Sequence, residues 1–237
     1  MIVLIPAYEP DERLVELVRA LDDGGHRMLV VDDGSGQQYA PIFAEVEALG
    51  TPVLHQPGNT GKAAALRRGL SHIASQWPGH DVVTADSDGQ HRPEDIGAVA
   101  QTLQESGDSL VLGGRAFTGA VPVRSRFGNA VSRLLFRVSA GVSVHDTQTG
   151  LRGIPSRLIP EVLAVPGGRF AWEMNVLVHA SRRGIPIREV PIATVYLEGN
   201  VSSHFRPIRD SAAVMRRHPA QVSGCLCVHF EAADKVA

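Results

Sequence analysis

Short apolar runs alternate with helical spacings through the first half of the chain. Ile2–Ile5 is such a run, ended by Pro6, and predicts a strand. Leu14, Leu17, Val18 and Leu21 then fall at i, i+3, i+4 and i+7, one face of a helix. Met28–Val31 predicts a second strand, closing in the polar turn Asp32-Asp33-Gly34-Ser35. Ile42 to Leu49 reads as a helix, Pro52–His55 as a strand, and Gly61 to Ala74 as a helix rich in Ala and Leu. Asp81–Ala85 predicts a strand that ends at Asp86-Ser87-Asp88-Gly89. Pro93 opens a helix whose face is Ile96, Val99, Ala100 and Leu103, and Ser109–Leu112 is a further strand. Strands separated by helices imply βαβ units and a mostly parallel central sheet. In open α/β sheets ligands bind beyond the carboxyl ends of the strands. Pro6-Ala7-Tyr8-Glu9, Asp32-Asp33 and Asp86-Ser87-Asp88 all fall there.

The second half is less regular. Arg124 to Val138 predicts a basic amphipathic helix with Phe127, Val131, Leu134, Leu135 and Val138 on one side. It suits either an anionic membrane surface or a core with a solvated face. Trp172 to Arg183 reads as a helix, Ile187–Val190 as a strand before Pro191, and Pro207 to Arg217 as a last helix. No internal repeat or linker divides the chain. The expectation is one α/β domain over 1–217, with 1–115 forming one half and 116–217 the other. Residues 218–237 are a patternless tail, open to disorder.

Composition narrows the class. With 237 residues and 43% hydrophobic content the chain can build one substantial core. The formal charge of −2 conceals an asymmetry. Residues 1–110 hold 7 Lys+Arg against 17 Asp+Glu, and residues 111–237 hold 16 against 8. Lysine occurs only at Lys62 and Lys235, so arginine carries nearly all the positive charge, and its fork suits phosphate and carboxylate. Cys225 and Cys227 are too few and too close for a disulfide scaffold, so a reducing cytoplasm is the default expectation. The N-terminus reads as a strand rather than a signal peptide. No apolar run reaches the ~20 residues of a membrane span, and the longest, Ala130 to Val144, is broken by Arg133 and Arg137. Membrane contact would be peripheral, or made through a membrane partner protein, and nothing points to nucleic acid.

The candidate chemistry lies at the strand ends. Asp86 and Asp88 can share a hard divalent cation and, through it, diphosphate oxygens, with Gln90 and His91 immediately following. The alternative is an ordinary Asp-rich turn. Asp32-Asp33 can accept from a base or ribose, or simply cap a turn. Gly58-Asn59-Thr60-Gly61-Lys62 is not a P-loop, because two residues rather than four separate the glycines and Ala63 follows the lysine. A helix start bearing one lysine near the ligand fits better. No G-x-G-x-x-G follows the first strand, and the histidines lack zinc-hydrolase spacing.

Several motifs occur together in one order: Leu4-Ile5-Pro6-Ala7-Tyr8, Val30-Val31-Asp32-Asp33-Gly34-Ser35, Asn59-Thr60-Gly61-Lys62-Ala63 and Ala85-Asp86-Ser87-Asp88-Gly89-Gln90-His91. In that order and spacing they resemble family 2 glycosyltransferases of the GT-A fold. Gly113-Gly114-Arg115, Asp146-Thr147-Gln148-Thr149-Gly150-Leu151-Arg152, Trp172-Glu173-Met174 and Ser202-Ser203-His204-Phe205-Arg206-Pro207 resemble the branch of dolichyl- and polyprenyl-phosphate hexose synthases. The likeness covers roughly residues 1–215. It implies a GT-A (Rossmann-like) fold and inverting, metal-dependent transfer of a hexose from a UDP- or GDP-sugar to a polyprenyl phosphate. By motif position the nucleotide would meet Pro6, Ala7, Tyr8, Glu9, Asp32, Asp33, Lys62, Asp86 and Ser87. Asp88 and Gln90 would ligate Mg²⁺ or Mn²⁺. The chain departs from the pattern after Tyr8, where Glu9-Pro10 replaces the usual Asn-Glu and puts proline at the acidic base contact.

A phosphate acceptor is already an anion and asks for positioning and charge stabilisation rather than a base. Asp88, Arg115 and Arg206 are accordingly the expected catalytic set. Arg126, Asp146, Arg152, Glu173 and Ser203 are expected on the acceptor side. Asp146 and Arg152 also read as a structural ion pair bracketing a turn, and Glu173 as buried support. Two other readings stay open. One is a hydroxyl acceptor with Glu173 or Asp146 as base; the other is a non-catalytic nucleotide-sugar-binding protein on the same scaffold.

Overall fold

The computed structural model describes residues 1–115, 144 and 146–193. The helices expected over 124–138 and 207–217, the sites Arg126, Ser203 and Arg206, and the tail 218–237 lie outside the described residues.

The chain runs β1 (Ile2–Ala7), α1 (Glu12–Asp23), β2 (Arg27–Asp32), α2 (Ala40–Ala48), β3 (Val53–His55), α3 (Lys62–Gln76), β4 (Val82–Thr84), α4 (Pro93–Ser106) and β5 (Leu110–Arg115). It continues with β6 (Arg152–Ile154), α5 (Ile159–Ala164), α6 (Arg169–Arg182) and β7 (Ile187–Ile192). The described strands form one seven-stranded sheet in the order β3-β2-β1-β4-β6-β5-β7. All pairs are parallel except those of β6, which runs antiparallel to both β4 and β5.

Alternation along the strands builds two apolar layers. Val3 and Ile5 face Leu14, Val18, Phe43, Val46, Ile96 and Leu103, on the side of α1, α2 and α4. Ile2 and Leu4 face Leu66, Leu70, Ile73, Ile159 and Trp172, on the side of α3, α5 and α6. The sheet is therefore buried on both faces, which explains why its strands read as continuous apolar runs. Gly69 lets α3 press against Leu4: a Cβ there would lie 2.9 Å from Leu4 Cδ2. Asp11 caps α1, its side chain accepting from Arg13 N at 3.1 Å.

Most expected elements are present with ends shifted by one to three residues. β1 continues through Pro6 to Ala7 because β4 pairs only as far as Leu4, so the missing N–H of Pro6 breaks no ladder on that side. β7 likewise passes through Pro191 because it is an edge strand. β6 and α5 have no counterpart in the expected elements. Arg-Gly-Ile has no strand periodicity of its own and is held by the neighbours on either side. No described helix is long and apolar enough to cross a membrane.

Candidate active site

The carboxyl ends of β1, β2 and β4 open on one side of the sheet, and two aspartate-bearing turns meet there. The turn after β2 is closed on itself. Asp32 Oδ1 accepts from Ser35 N at 2.8 Å, and its Oδ2 lies 2.9 Å from His55 Nδ1. Burial alone would raise the Asp32 carboxyl; the bonds from His55 and Ser35 outweigh it and hold the group below the usual carboxylate range. Ser35 Oγ in turn accepts from Glu9 N at 2.9 Å. That bond secures the left-handed backbone of Glu9, at φ 50 the one non-glycine residue of positive φ among the described residues. Beside it Tyr8 is 48% exposed.

Asp33 is 2% exposed and fully engaged. Its Oδ1 accepts from Thr60 N at 2.9 Å, Thr60 Oγ1 at 3.0 Å and Gln56 Nε2 at 3.2 Å. Its Oδ2 accepts from Gly61 N at 2.7 Å. The two backbones touch as well. Gly34, at φ +73, could carry no side chain, since a Cβ would lie 2.5 Å from Gly58 Cα and 2.6 Å from Asn59 N.

The turn after β4 is organised by unlike charges from distant elements. Lys62, the first residue of α3, places Nζ 2.6 Å from Asp86 Oδ1 and 3.6 Å from Glu173 Oε1 of α6. Burial works against both charges. The Asp86 and Glu173 carboxylates nonetheless hold the Lys62 ammonium above its usual range, and Lys62 and His91 hold Asp86 well below the carboxylate range. Buried His91 reaches Asp86 Oδ2 with Nε2 at 3.5 Å. On the other side Asp86 rests on Gly150, where a Cβ would lie 2.7 Å from Oδ1 and closer still to Oδ2. The Gly150 carbonyl is fixed by Thr84 Oγ1 at 2.7 Å.

Asp88 has the opposite character. It accepts from Gln90 N at 3.0 Å and Gln90 Nε2 at 2.8 Å, both uncharged donors. Burial and the neighbouring Asp86 charge raise its carboxyl above the usual range. A carboxylate in that position is stabilised by a cation. Among the described residues no three His, Cys, Asp or Glu side chains converge on one point. Asp88 and the Gln90 carbonyl are hard oxygen donors. They fit an ion such as Mg²⁺ or Mn²⁺ that takes one or two protein oxygens and fills its shell with phosphate and water.

The wall formed by β5, β6 and α6 carries the remaining residues. Arg115 grips fully buried Asp146 with Nε–Oδ2 at 2.6 Å and Nη2–Oδ1 at 3.2 Å. Asp146 N bonds Glu189 Oε1 at 3.3 Å. The expected Asp146–Arg152 pair is thus replaced by Asp146–Arg115. Arg152, 6% exposed, donates to the carbonyls of Thr149 at 2.9 Å, Glu173 at 2.7 Å and Thr147 at 3.2 Å. It braces the 147–151 turn and the start of α6. The structure therefore brings Lys62, Asp86 and Glu173 into one cluster, although the first two were expected on the nucleotide side and the third on the acceptor side. Gln56, Thr60 and Gly150 were not singled out as site residues; only the placement of Thr60 and Gly150 inside recognisable motifs signalled them.

Residues 2–158 match the model of Glycosyl transferase family 2. The UDP-N-acetylglucosamine–dolichyl-phosphate N-acetylglucosaminyltransferase of Methanococcus voltae is 27% identical over 217 residues, covering 83% of this chain and 86% of that protein. The polyprenol monophosphomannose synthase of Mycolicibacterium smegmatis is 28% identical over 225 residues, covering 85% and 79%. The crystal structure of glucosyl-3-phosphoglycerate synthase from Mycobacterium tuberculosis with Mg²⁺ and UDP has the same fold, with TM-score 0.62 at 20% identity over 94% of this chain and 78% of that one.

Proposed function

The chain belongs to glycosyl transferase family 2, and on that premise we propose that it transfers a hexose, with inversion, from a UDP- or GDP-sugar to a polyprenyl phosphate. That it is a glycosyltransferase of GT-A fold follows from the family and the sheet; the donor, acceptor and metal are the proposal. The observation that carries it is the contrast within one turn: Asp86 is paired with Lys62, while Asp88 is hydrogen-bonded by the amide groups of Gln90 and its carboxyl is raised by burial and by Asp86.

In this reading Pro6, Ala7, Tyr8, Glu9, Asp32 and Asp33 line the nucleoside side. Asp86, Ser87 and Lys62 meet the ribose and diphosphate. Asp88 and Gln90 would hold Mg²⁺ or Mn²⁺, which supplies positive charge to the leaving diphosphate. Asp86 remains ionised at neutral pH and so orients donors rather than moving a proton. Lys62 brings a fixed ammonium to the same place, where it can stabilise charge as the sugar–phosphate bond breaks.

The acceptor class is supported by what the two candidate bases are doing. Asp146 is fully buried and held in a fork by Arg115, and Glu173 faces the Lys62 ammonium. Each thus faces a cation of this chain, an arrangement that supports a structural role over that of a base. A phosphate acceptor needs no such base, and the names of the Methanococcus and Mycolicibacterium relatives carry lipid phosphates of this class. Arg115, Arg126, Arg206 and Ser203 are proposed to steer that phosphate. The lipid would be met by peripheral contact with the membrane or through a membrane protein.

Purified protein with UDP- and GDP-hexoses, a short-chain polyprenyl phosphate and Mg²⁺ or Mn²⁺ tests this directly. A glycosylated lipid phosphate is the expected product. Transfer only to free saccharides would overturn the acceptor assignment, and nucleotide-sugar binding without turnover on any acceptor would favour a non-catalytic binder.

A further inference from the structure

We infer that Arg13 is a further contact to the donor, a guanidinium that grips its diphosphate from the α1 side, and that Asp11 is the carboxylate it leaves to do so. The inference rests on the donor-site reading above and adds to it one residue and one exchange of partners.

Arg13 stands in the first turn of α1, which begins on the side of the sheet where β1 ends. Its stem lies along the turn after β4. A Cβ built on Gly89 would meet Arg13 Cδ at 3.2 Å and its Cβ and Cγ at 3.7 Å. Gly89, at φ +79, separates Asp88 from Gln90, the two proposed oxygen donors to the metal. The arginine stem therefore covers the backbone between them, and its guanidinium begins at the next atom beyond Cδ. The electrostatics agree with the packing. Hydrogen bonds from Asp11 hold the guanidinium above its usual range, and Asp88 adds to this ahead of Glu16, three residues on along the same helix.

Asp11 forks that guanidinium. Nε lies 2.8 and 3.0 Å from the two carboxylate oxygens, and Nη2 lies 2.5 Å from Oδ2. The two side chains are 41% and 54% exposed, so the pair contributes little and another anion can replace Asp11 at small cost. A diphosphate held beside Asp88 offers several charged oxygens to the planar fork, which suits arginine better than one exposed carboxylate. Lys62 reaches the same turn from α3, on the opposite layer of the sheet. Arg13 thus completes a pair of cations, one from each layer.

Asp11 has a second duty that survives the exchange. Its Oδ1 accepts from Arg13 N at 3.1 Å and caps α1. Asparagine caps a helix as well as aspartate does but carries no charge to hold the guanidinium. Asp11→Asn therefore separates the fork from the cap.

Calorimetric titration with UDP, GDP, uridine and guanosine in Mg²⁺ tests this. Arg13→Met should weaken the preferred diphosphate about fivefold, with the parent nucleoside unchanged within about twofold. Arg13→Lys, which keeps the charge and loses the fork, should fall between. Asp11→Asn should bind the diphosphate about two- to threefold more tightly, because the competing carboxylate is gone. Adding Arg13→Met to Asp11→Asn should abolish that gain. Wild-type diphosphate affinity in Arg13→Met, or weaker binding in Asp11→Asn at an unchanged melting temperature, would overturn the inference and leave the donor reading intact. Failure of the wild type to bind either diphosphate would sink the donor reading and this contact with it.

Chemical modification separates contact from mere support. Phenylglyoxal addition at Arg13, followed by peptide mass spectrometry, should slow about fivefold under a saturating Mg²⁺-diphosphate and not under the nucleoside. Without ligand, Asp11→Asn should raise the Arg13 rate. An Arg13 that the diphosphate does not protect acts through structure alone, and the proposed contact is then wrong.

Discussion

The turns after β2 and β4 each present two carboxylates beyond a buried strand, yet they are opposites. In the first, Asp32 and Asp33 are held by hydrogen bonds from Ser35, His55, Gln56, Thr60 and Gly61. In the second, Asp86 is paired with the ammonium of Lys62 on α3, and Asp88 is hydrogen-bonded by amides beside an unfavourable like-charged neighbour. A satisfied carboxylate holds a structure, whereas one raised above its normal proton affinity stores a demand for positive charge. Aspartates alike in sequence thus divide by what holds them.

Four substitutions would break or sharpen that division, from the largest expected effect downward. Asp88→Ala should lower transfer by roughly a hundredfold or more. Because Asp88 anchors no distant segment, its melting temperature should stay near that of the wild type; retained activity in a radiochemical transfer assay would remove it from the metal site. Gly150→Ala forces a methyl onto the Asp86 carboxylate and should cost about 1–3 kcal/mol by urea titration, together with a weaker nucleotide. Normal stability and normal nucleotide affinity together would mean that Asp86 can yield, contrary to its role as a fixed group.

Asp32→Asn probes the satisfied turn through pH. The folded carboxyl is depressed, so its contribution is fully present above the unfolded value near 3.9 and is lost as pH falls through the folded value. Thermal melts should therefore show a shallower loss of stability below about pH 4 in the variant than in the wild type; parallel acid limbs would contradict the assignment. Asp11→Ala lies outside both turns and sets the scale. Losing the cap of α1 should cost about 1 kcal/mol in urea.

The sequence showed the strands and helices of residues 1–115 plainly, because a sheet buried on both faces and helices with one apolar stripe leave strong periodic marks. It also showed which strand ends carry polar groups. It did not show what those groups touch. Asp33 finds its donors 27 and 28 residues later, and Lys62 meets Glu173 across the molecule. Neither distance has a period. Arg115 rather than Arg152 takes Asp146, since Arg152 is drawn into a nest of carbonyls that only the folded 147–151 turn creates. β6 escaped for the same reason: three residues with a central glycine become a strand because β4 and β5 flank them. The acidic first half and basic second half do meet in the site, but through one lysine of the acidic half and the buried Glu173 of the basic one.

The antiparallel β6 also orders events in time. β3, β2, β1 and β4 are complete once the first 84 residues have been made, but β4 finds its second neighbour only when residues 152–154 arrive. The bond from Thr84 to Gly150 spans 66 positions, which at ~5–20 residues per second is roughly three to thirteen seconds of synthesis. Through that interval a nascent chain carries Val82 and Val83 on an open strand edge, with the Asp86 turn unsupported. Among the described strands, the one that runs the other way is thus the one that covers that edge.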